Sequence, residues 1–358
     1  MKTKNIITFA ALVSILTGCG SVSRENFHEN IQSPLENIIY FASLAGNSHN
    51  TQPWLVYVEN DSLIYLKADF SRKLHIVDPD SRGLFISLGA FIENFEHAAG
   101  KFGFSAEIEI TSKHKNDPNV ATIYLRKSQK ENYDLSRIEN RKTLRVPFHN
   151  TDISIDHLNK LIAGNTSQIF YFSSSSEDGK YIAEQTLAAY TQQAHDDQAK
   201  QELSNWMRFS NGDVEKYRDG LTTSGMGITG FGGFVIRNFY KPEDSMKNSF
   251  IETGIEKTKE QTENCGGWLV IIENDDSPKQ WIKTGRLYQR MNLACRDLMI
   301  GFHPMNQMIE EESFEKNANE HLSLPGVIQF VARIGYVDKY PPANSVRRSA
   351  KEIIKYYK

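Results

Sequence analysis

Three stretches of this chain hold side chains whose types and spacing could do chemistry together. The first is Asn47-Ser48-His49-Asn50-Thr51-Gln52-Pro53-Trp54. The amides of Asn50 and Gln52 each offer a donor and an acceptor. Such groups can read the edge of a heterocycle that presents C=O, N–H and C=O in a row. Pro53 and Trp54 would stiffen and pack the turn. Alone, an Asn-x-Gln pair is only a polar loop. The second stretch is Arg141-Lys142-Thr143-Leu144-Arg145, with three cations and a hydroxyl near a helix start. Guanidinium forks and helix N–H groups suit a phosphate dianion, although a basic cluster by itself also makes a solvated turn. The third is Gly335-Tyr336, followed by Pro341-Pro342 and Arg347-Arg348. His49 could reach a bound substrate, or simply hold its own turn.

Those stretches need elements to position them. Ser33-Pro34-Leu35-Glu36 reads as a helix start, with an N-cap serine, proline in the first turn and glutamate at the third position. That helix is expected to run to about Ala45 and stop at Gly46. Residues 54–58 read as a buried strand and 62–66 as its hairpin partner. Leu88, Phe91, Ile92, Phe95, Ala99 and Phe102 recur at helical spacing. Strands are expected near 105–110 and 119–126. A helix near 154–163, a second amphipathic helix from Gly285 to Gly301 with Phe302 on its stripe, and a strand from Val327 to Val337 follow.

The second set looks like a diverged repeat of the first. Leu44-Ala45-Gly46-Asn47-Ser48 matches Ile162-Ala163-Gly164-Asn165-Thr166. Gly89, Phe91, Phe95, Ala98, Ala99 and Phe102 match Gly285, Leu287, Met291, Ala294, Cys295 and Leu298. The second match is offset further, which implies an insertion at about 170–265. Trp54-Leu55-Val56 and Trp268-Leu269-Val270 fit neither register and read as coincidence. The expected division is 33–130 for the first half and 131–358 for the second.

Together the three stretches resemble the nitroreductase family, most closely its Acg-type FMN-binding branch. In that family a Ser-x-x-Asn-x-Gln-Pro-Trp loop lies against the isoalloxazine, while an Arg-Arg-Ser-x-Arg motif and a C-terminal basic pair hold the phosphate. The resemblance implies an α+β fold with antiparallel-rich sheets flanked by helices. It places Asn50, Gln52 and Trp54 beside the flavin ring. It places Arg141, Lys142, Thr143 and Arg145 on the phosphate of FMN, with Arg347 or Arg348. Arg218-Asp219-Gly220-Leu221 also resembles a segment of the branch. Gly46-Asn47 and Lys142 depart from the family pattern. The first half has the ring loop and the second the phosphate motif, so the resemblance implies a fused pseudo-dimer with one site built from both halves, which need not assemble further.

Gly225-Met226-Gly227-Ile228-Thr229-Gly230 has the Gly-x-Gly-x-x-Gly pattern but follows a charged, polar stretch. Without a strand–turn–helix setting it is weak evidence for a dinucleotide. Its glycines, with Met226, Phe231 and Phe234, suit either a mobile lid or a loop packed on its own surface.

The 358 residues are 39% hydrophobic and 11% aromatic, with a net charge of −3. This composition supports a real core and gives no basic surface for nucleic acid. The ten histidines show no metal-site spacing, and three cysteines exclude a disulfide framework. Lys2 and Lys4 precede an apolar run from Ile6 to Leu16, too short to span a bilayer. The run ends in Leu16-Thr17-Gly18-Cys19, which resembles a bacterial lipobox and implies lipidation of Cys19 after cleavage of 1–19. Gly20, not aspartate, points to the periplasmic face of the outer membrane. Residues 20–32 read as a tether. Cys265 and Cys295 could pair, but Cys295 lies on an apolar stripe and reads as a buried thiol. The expected activity is FMN-dependent electron transfer to a nitroaromatic, quinone or similar small acceptor. A flavin-binding protein without turnover, and a structural lipoprotein with a vestigial site, are the other readings. NAD(P)H is scarce outside the cytoplasm, so a periplasmic reductase needs another electron donor.

Overall fold

The computed structural model describes residues 21–27, 31 and 33–357. The signal-peptide reading of 1–19, Cys19 included, lies outside the described residues, as do parts of the tether. The first helix, α1 (Pro34–Ser43), starts where its capping residues stand: the Ser33 hydroxyl accepts from the Glu36 N–H. It ends before Ala45 because Leu44 and Ala45 bond three residues back and tighten the last turn. Strands β1 (Trp54–Asn60) and β2 (Leu63–Ala68), helix α2 (Arg82–Phe102), and strands β3 (Phe104–Ile110) and β4 (Asn119–Lys127) follow. After α3 (Ser136–Asn140), α4 (Ile155–Ile162) leads into β5 (Ile169–Ser173). A largely helical stretch then holds α5 (Glu177–His195), α6 (Asp197–Asn205), β6 (Met207–Arg208), α7 (Asn211–Tyr217), β7 (Leu221–Thr222), α8 (Gly230–Phe239) and α9 (Asn248–Glu263). The chain continues through β8 (Gly267–Glu273), α10 (Pro278–Cys295), β9 (Ile300–Pro304), α11 (Gln307–Glu310), α12 (Glu312–Leu322) and β10 (Val327–Tyr336), and closes with α13 (Ala350–Ile353) and β11 (Ile354–Tyr356).

The fold is α+β, with antiparallel-rich sheets flanked by helices. One sheet has the order β11-β1-β2-β4-β3 and the other β5-β8-β10-β9. Setting β11 aside, both sheets have the same connectivity: a hairpin-type pair, a helix, then two strands that add in reverse order. In the second sheet the stretch from α5 to α9 separates β5 from β8. Trp54 lies in β1 and Trp268 in β8, which are not corresponding strands. The chain's end does not stay with the second sheet. β11 pairs in parallel with β1, with Val56 opposite Ile354.

The core follows from strand alternation. β8 reads Gly-Trp-Leu-Val-Ile-Ile-Glu and is buried on both faces. Leu269 and Ile271 join the core between the sheets, while Trp268, Val270 and Ile272 face the outer helices. A strand covered on both sides loses the apolar–polar alternation.

Helices α2 and α10 pack against each other at two glycines. A Cβ added to Gly89 would fall on the carbonyl oxygen of Ile282, and one added to Gly285 on that of Ile86. The contact is reciprocal, as in an isologous interface. Beside it, Glu93 of α2 accepts from Arg286 (2.9 Å) and Arg290 (2.8 Å) of α10.

Four expectations need revision. Arg141 follows the end of α3, so the basic cluster lies at a helix's carboxyl end and not near a helix start. The second amphipathic helix starts earlier, at Pro278, and ends at Cys295. Met299 adopts a left-handed φ of 52°, so Gly301 and Phe302 belong to β9 and not to a helical stripe. Part of the tether lies on the body: Val22 N–H donates to Asn211 (3.2 Å), and the Arg218 guanidinium lies over Phe27 (4.4 Å). Cys265 and Cys295 are buried free thiols.

Gly285→Val is expected to lower stability by about 1–3 kcal/mol or more, because the helices must separate to admit the side chain. Denaturant midpoints measure this. An unchanged midpoint would mean that the helices do not meet there.

Candidate functional site

The loop after α1 carries unusual backbone. His49, Asn50 and Gln52 have φ of 46°, 53° and 54°. Left-handed backbone costs a non-glycine residue roughly 1–2 kcal/mol, so three in one loop need external support. Arg347 supplies much of it. Its Nε donates to Ser43 O (2.6 Å), Nη1 to Asn50 Oδ1 (2.9 Å) and Val346 O (2.8 Å), and Nη2 to Leu44 O (3.2 Å) and Ala45 O (3.0 Å). All five N–H donors are used. The guanidinium thereby caps the carboxyl end of α1 and grips the loop in one arrangement. Gln52 N–H donates to Asn47 Oδ1 (2.9 Å), and Arg72 Nε donates to Thr51 O (2.6 Å).

The segment after α7 closes onto this loop. Gly220 N–H donates to Asn50 O (3.2 Å), and Gln52 Nε2 donates to Arg218 O (2.8 Å). Gly220 has φ 71°, and a Cβ there would strike Trp206 O. Asp219 is buried between Arg72 and Arg208.

Between loop and segment lies a partly open cleft. Asn47, His49 and Asn50 line one side. Arg141, Lys142, Thr143 and Arg145 line another, with Thr222, Gly225 and Arg347 completing the wall. Four cationic side chains share this wall, and no carboxylate does. Among the described residues none of the four makes an ion pair. Their protein bonds differ. Arg141 donates only to Leu44 O (3.3 and 3.2 Å), Lys142 to Pro342 O (3.0 Å) and Arg145 to Gly225 O (2.8 Å). Burial first, then neighbouring cations, lowers Lys142 and Arg145 from their ordinary pKa values. The cleft therefore holds positive charge without a counter-charge and suits an anion.

Of the expected residues, Asn50, Arg141, Lys142, Thr143, Arg145 and Arg347 meet at the cleft. Gln52, Trp54 and Arg348 stand behind its wall. Gln52 Oε1 accepts from Arg348 N–H (2.8 Å), so both ends of its amide bond to protein. Asn50 is likewise engaged, since its Nδ2 donates to Val346 O (3.2 Å). Both Gln52 Nε2 donors are directed at protein carbonyls, whereas Asn50 keeps a second Nδ2 donor. Trp54 is fully buried, with its ring 5.2 Å from that of Phe91. Arg348 Nη2 donates to Gln52 O (2.7 Å) and Trp54 O (3.1 Å). Its bonds secure the loop's backbone.

Other residues that matter are less visible in sequence. Gly46, where the family pattern differs, leaves room for the Tyr288 hydroxyl, which a Cβ would strike. Arg333 is fully buried on β10. It donates Nε–H to His303 Nδ1 (3.1 Å), Nη1 to Gln261 O and Asn264 O, and Nη2 to Leu144 O and Val146 O (2.9 Å). It thus fixes the backbone on both sides of Arg145. His303 must accept at Nδ1, and burial together with Arg333 keeps its pKa well below the ordinary value. The lone charge within Val327–Tyr336 was the available signal. The Gly225–Gly230 run follows the two-residue strand β7 and precedes α8, but β6 and β7 form a sheet of their own. Its N–H groups turn inward: Gly225 bonds Thr222 Oγ1, Met226 bonds Thr222 O and Ile228 bonds Thr223 O. They are not presented to a phosphate.

No family model and no curated protein matches this chain. Among solved structures, a putative nitroreductase from Anabaena variabilis matches with a TM-score of 0.49 and 11% identity, covering 88% of this chain and 92% of its own. An FMN-dependent nitroreductase from Mycobacterium smegmatis, in complex with NADPH, matches with a TM-score of 0.39 and 11% identity, covering 63% of this chain and 100% of its own. A nitroreductase with bound FMN from Desulfitobacterium hafniense has a TM-score of 0.36 and 14% identity, covering 63% of this chain and 97% of its own.

Two outcomes follow from the clamp. Arg347→Lys keeps the charge but loses the planar fork. It is expected to cost about 3 kcal/mol and to speed amide exchange at residues 47–52. Equal stability of Lys and Arg would show that the fork is not needed. His49 is the second case: burial, then Arg145, lowers its pKa to about 4. The unfolded chain then binds the extra proton first, so stability falls as pH drops from about 6.5 towards 4. Burial raises Asp78 to about 6 and Glu310 to about 7, which acts in the opposite direction. The comparison is therefore wild type against His49→Gln. The variant is expected to lose about 1–3 kcal/mol less between pH 7 and 5. Parallel pH profiles would show that His49 is not held neutral.

Proposed function

We propose that this chain is an FMN-binding oxidoreductase of nitroreductase type. It passes electrons to a nitroaromatic, a quinone or a similar small acceptor. The observation that carries this reading is the cleft. Four cations without a carboxylate face Asn47, His49 and Asn50 of the loop whose motif, with that of residues 141–145, gives the chain its resemblance to the family. Lys142, Thr143 and Arg145 are the residues to hold the phosphate, with Arg141 beside them, because Arg145 and Lys142 each spend only one bond on protein. Arg347 contributes its charge and its hold on Asn50. Bound FMN supplies the two-electron chemistry, and the protein orients it and limits access to it. The matching connectivity of the two sheets and the reciprocal glycine contact support two fused halves, 33–130 and 131–358, interrupted at about 170–265. We also propose that Cys19 carries a lipid and holds the protein at the periplasmic face of the outer membrane.

One observation favours storage of flavin without turnover. The segment 218–228 is bonded to the loop and to Arg145, and so is held over the cleft. Photoreduction of the purified full chain separates the two readings. Rapid reoxidation by a quinone supports the oxidoreductase, whereas a reduced flavin inert to acceptors supports storage. A chain that takes up no flavin even on reconstitution sinks both.

Arg145→Ala is expected to weaken FMN binding by about 1.5–3 kcal/mol, roughly 10- to 150-fold. Riboflavin, which lacks the phosphate, should bind wild type and variant alike. Fluorescence titration reads both. An equal loss for the two ligands would remove Arg145 from the phosphate.

A further inference from the structure

Helix α8 (Gly230–Phe239) presents aromatic side chains that the fold does not cover. Phe231 is 81% exposed and Phe239 is 72% exposed. Their rings are linked through Phe234, at 6.4 Å and 6.5 Å between centroids, so they form one apolar surface. Among the described residues no other helix or strand packs extensively along α8. Burying a phenylalanine contributes roughly 1.5–3 kcal/mol, so such exposure points to a partner.

The position of the chain's beginning narrows the partner. Val22 is hydrogen-bonded to Asn211 at the start of α7. Two residues earlier, the Phe209 ring packs on Tyr240, the residue that ends α8 (6.3 Å). The entry of the N-terminal segment and the end of the aromatic helix therefore share one corner of the molecule. A membrane attachment at Cys19, which precedes Val22 closely, would hold that corner at the bilayer. No described helix is long and apolar enough to cross a membrane.

We propose that α8 is an interfacial helix that lays Phe231, Phe234 and Phe239 into the headgroup region of a lipid bilayer. Helices of this kind sit about 5–10 Å into the boundary. The proposal rests on membrane attachment at the N-terminus and not on the flavin.

The test uses the full chain, expressed in a bacterium and reconstituted in phosphatidylethanolamine–phosphatidylglycerol vesicles. Nitroxide labels are placed at Phe231→Cys, at Phe239→Cys and, as an exposed control on β4, at Tyr124→Cys. The first two side chains are exposed, so the substitutions leave the fold intact, and the native Cys265 and Cys295 are buried. Labels at 231 and 239 are expected to collide several-fold more with oxygen, relative to a water-soluble nickel chelate, than the label at 124. Three results overturn the proposal: nickel access at 231 and 239 equal to that at 124, dipolar broadening between labels that shows a second copy on the face, or failure of the chain to float with vesicles. Mass spectrometry of the N-terminus reports separately on Cys19, and flavin content reports separately on the cleft.

Discussion

Two buried guanidiniums hold this structure's cleft in shape. Arg347 saturates its five donors on the end of α1, the strained loop and its own neighbour. Arg333 does the same with His303 and four carbonyls around residues 144–146 and 261–264. A buried carbonyl left unpaired costs about 1–3 kcal/mol, so each arginine fixes several backbone positions at once. The first sets one wall of the cleft and the second sets the opposite wall.

The arginines of the chain thus fall into two kinds. Those whose donors are fully used, Arg333 and Arg347, position backbone. Those with donors to spare, Arg141 and Arg145, bring charge to the cleft. The amides of Asn50 and Gln52 belong with the first kind, because they brace a loop with three left-handed residues. Backbone strain of this sort clusters at ligand clamps. Here the support comes from residues nearly three hundred positions away in the chain, because the C-terminal segment crosses back to pair with β1.

The stretch between β5 and β8 is part of the same construction. Residues 218–228 form a wall of the cleft, Asp219 is clasped by Arg72 and Arg208, and α8 projects its aromatic rings outward. The N-terminal segment rests on this stretch as well. A change in its position would alter both access to the cleft and the surface that α8 presents.

Local chemistry was legible in the residues themselves. Ser33, Pro34 and Glu36 mark the start of α1 because capping is settled within one turn, and the spacing of Phe91 and Phe95 marks α2 because a helix repeats its face every few residues. The glycines at 89 and 285 stood at matching places in two helices, although only packing shows that they face each other. The cluster at 141–145 announced its charge, and the structure brings it to the cleft. Sequence could not say that Gln52, Trp54 and Arg348 lie behind the wall, since the choice depends on which partners arrive from distant segments. Nor could it end α10 at Cys295, because the pull of β10 on residues 300–304 is a long-range pairing. The sequence by itself determined which helices and strands form and where positive charge gathers, because propensity and spacing act over a few residues. Tertiary structure decided which donors remain free, because hydrogen bonds between segments far apart in the chain consume the others.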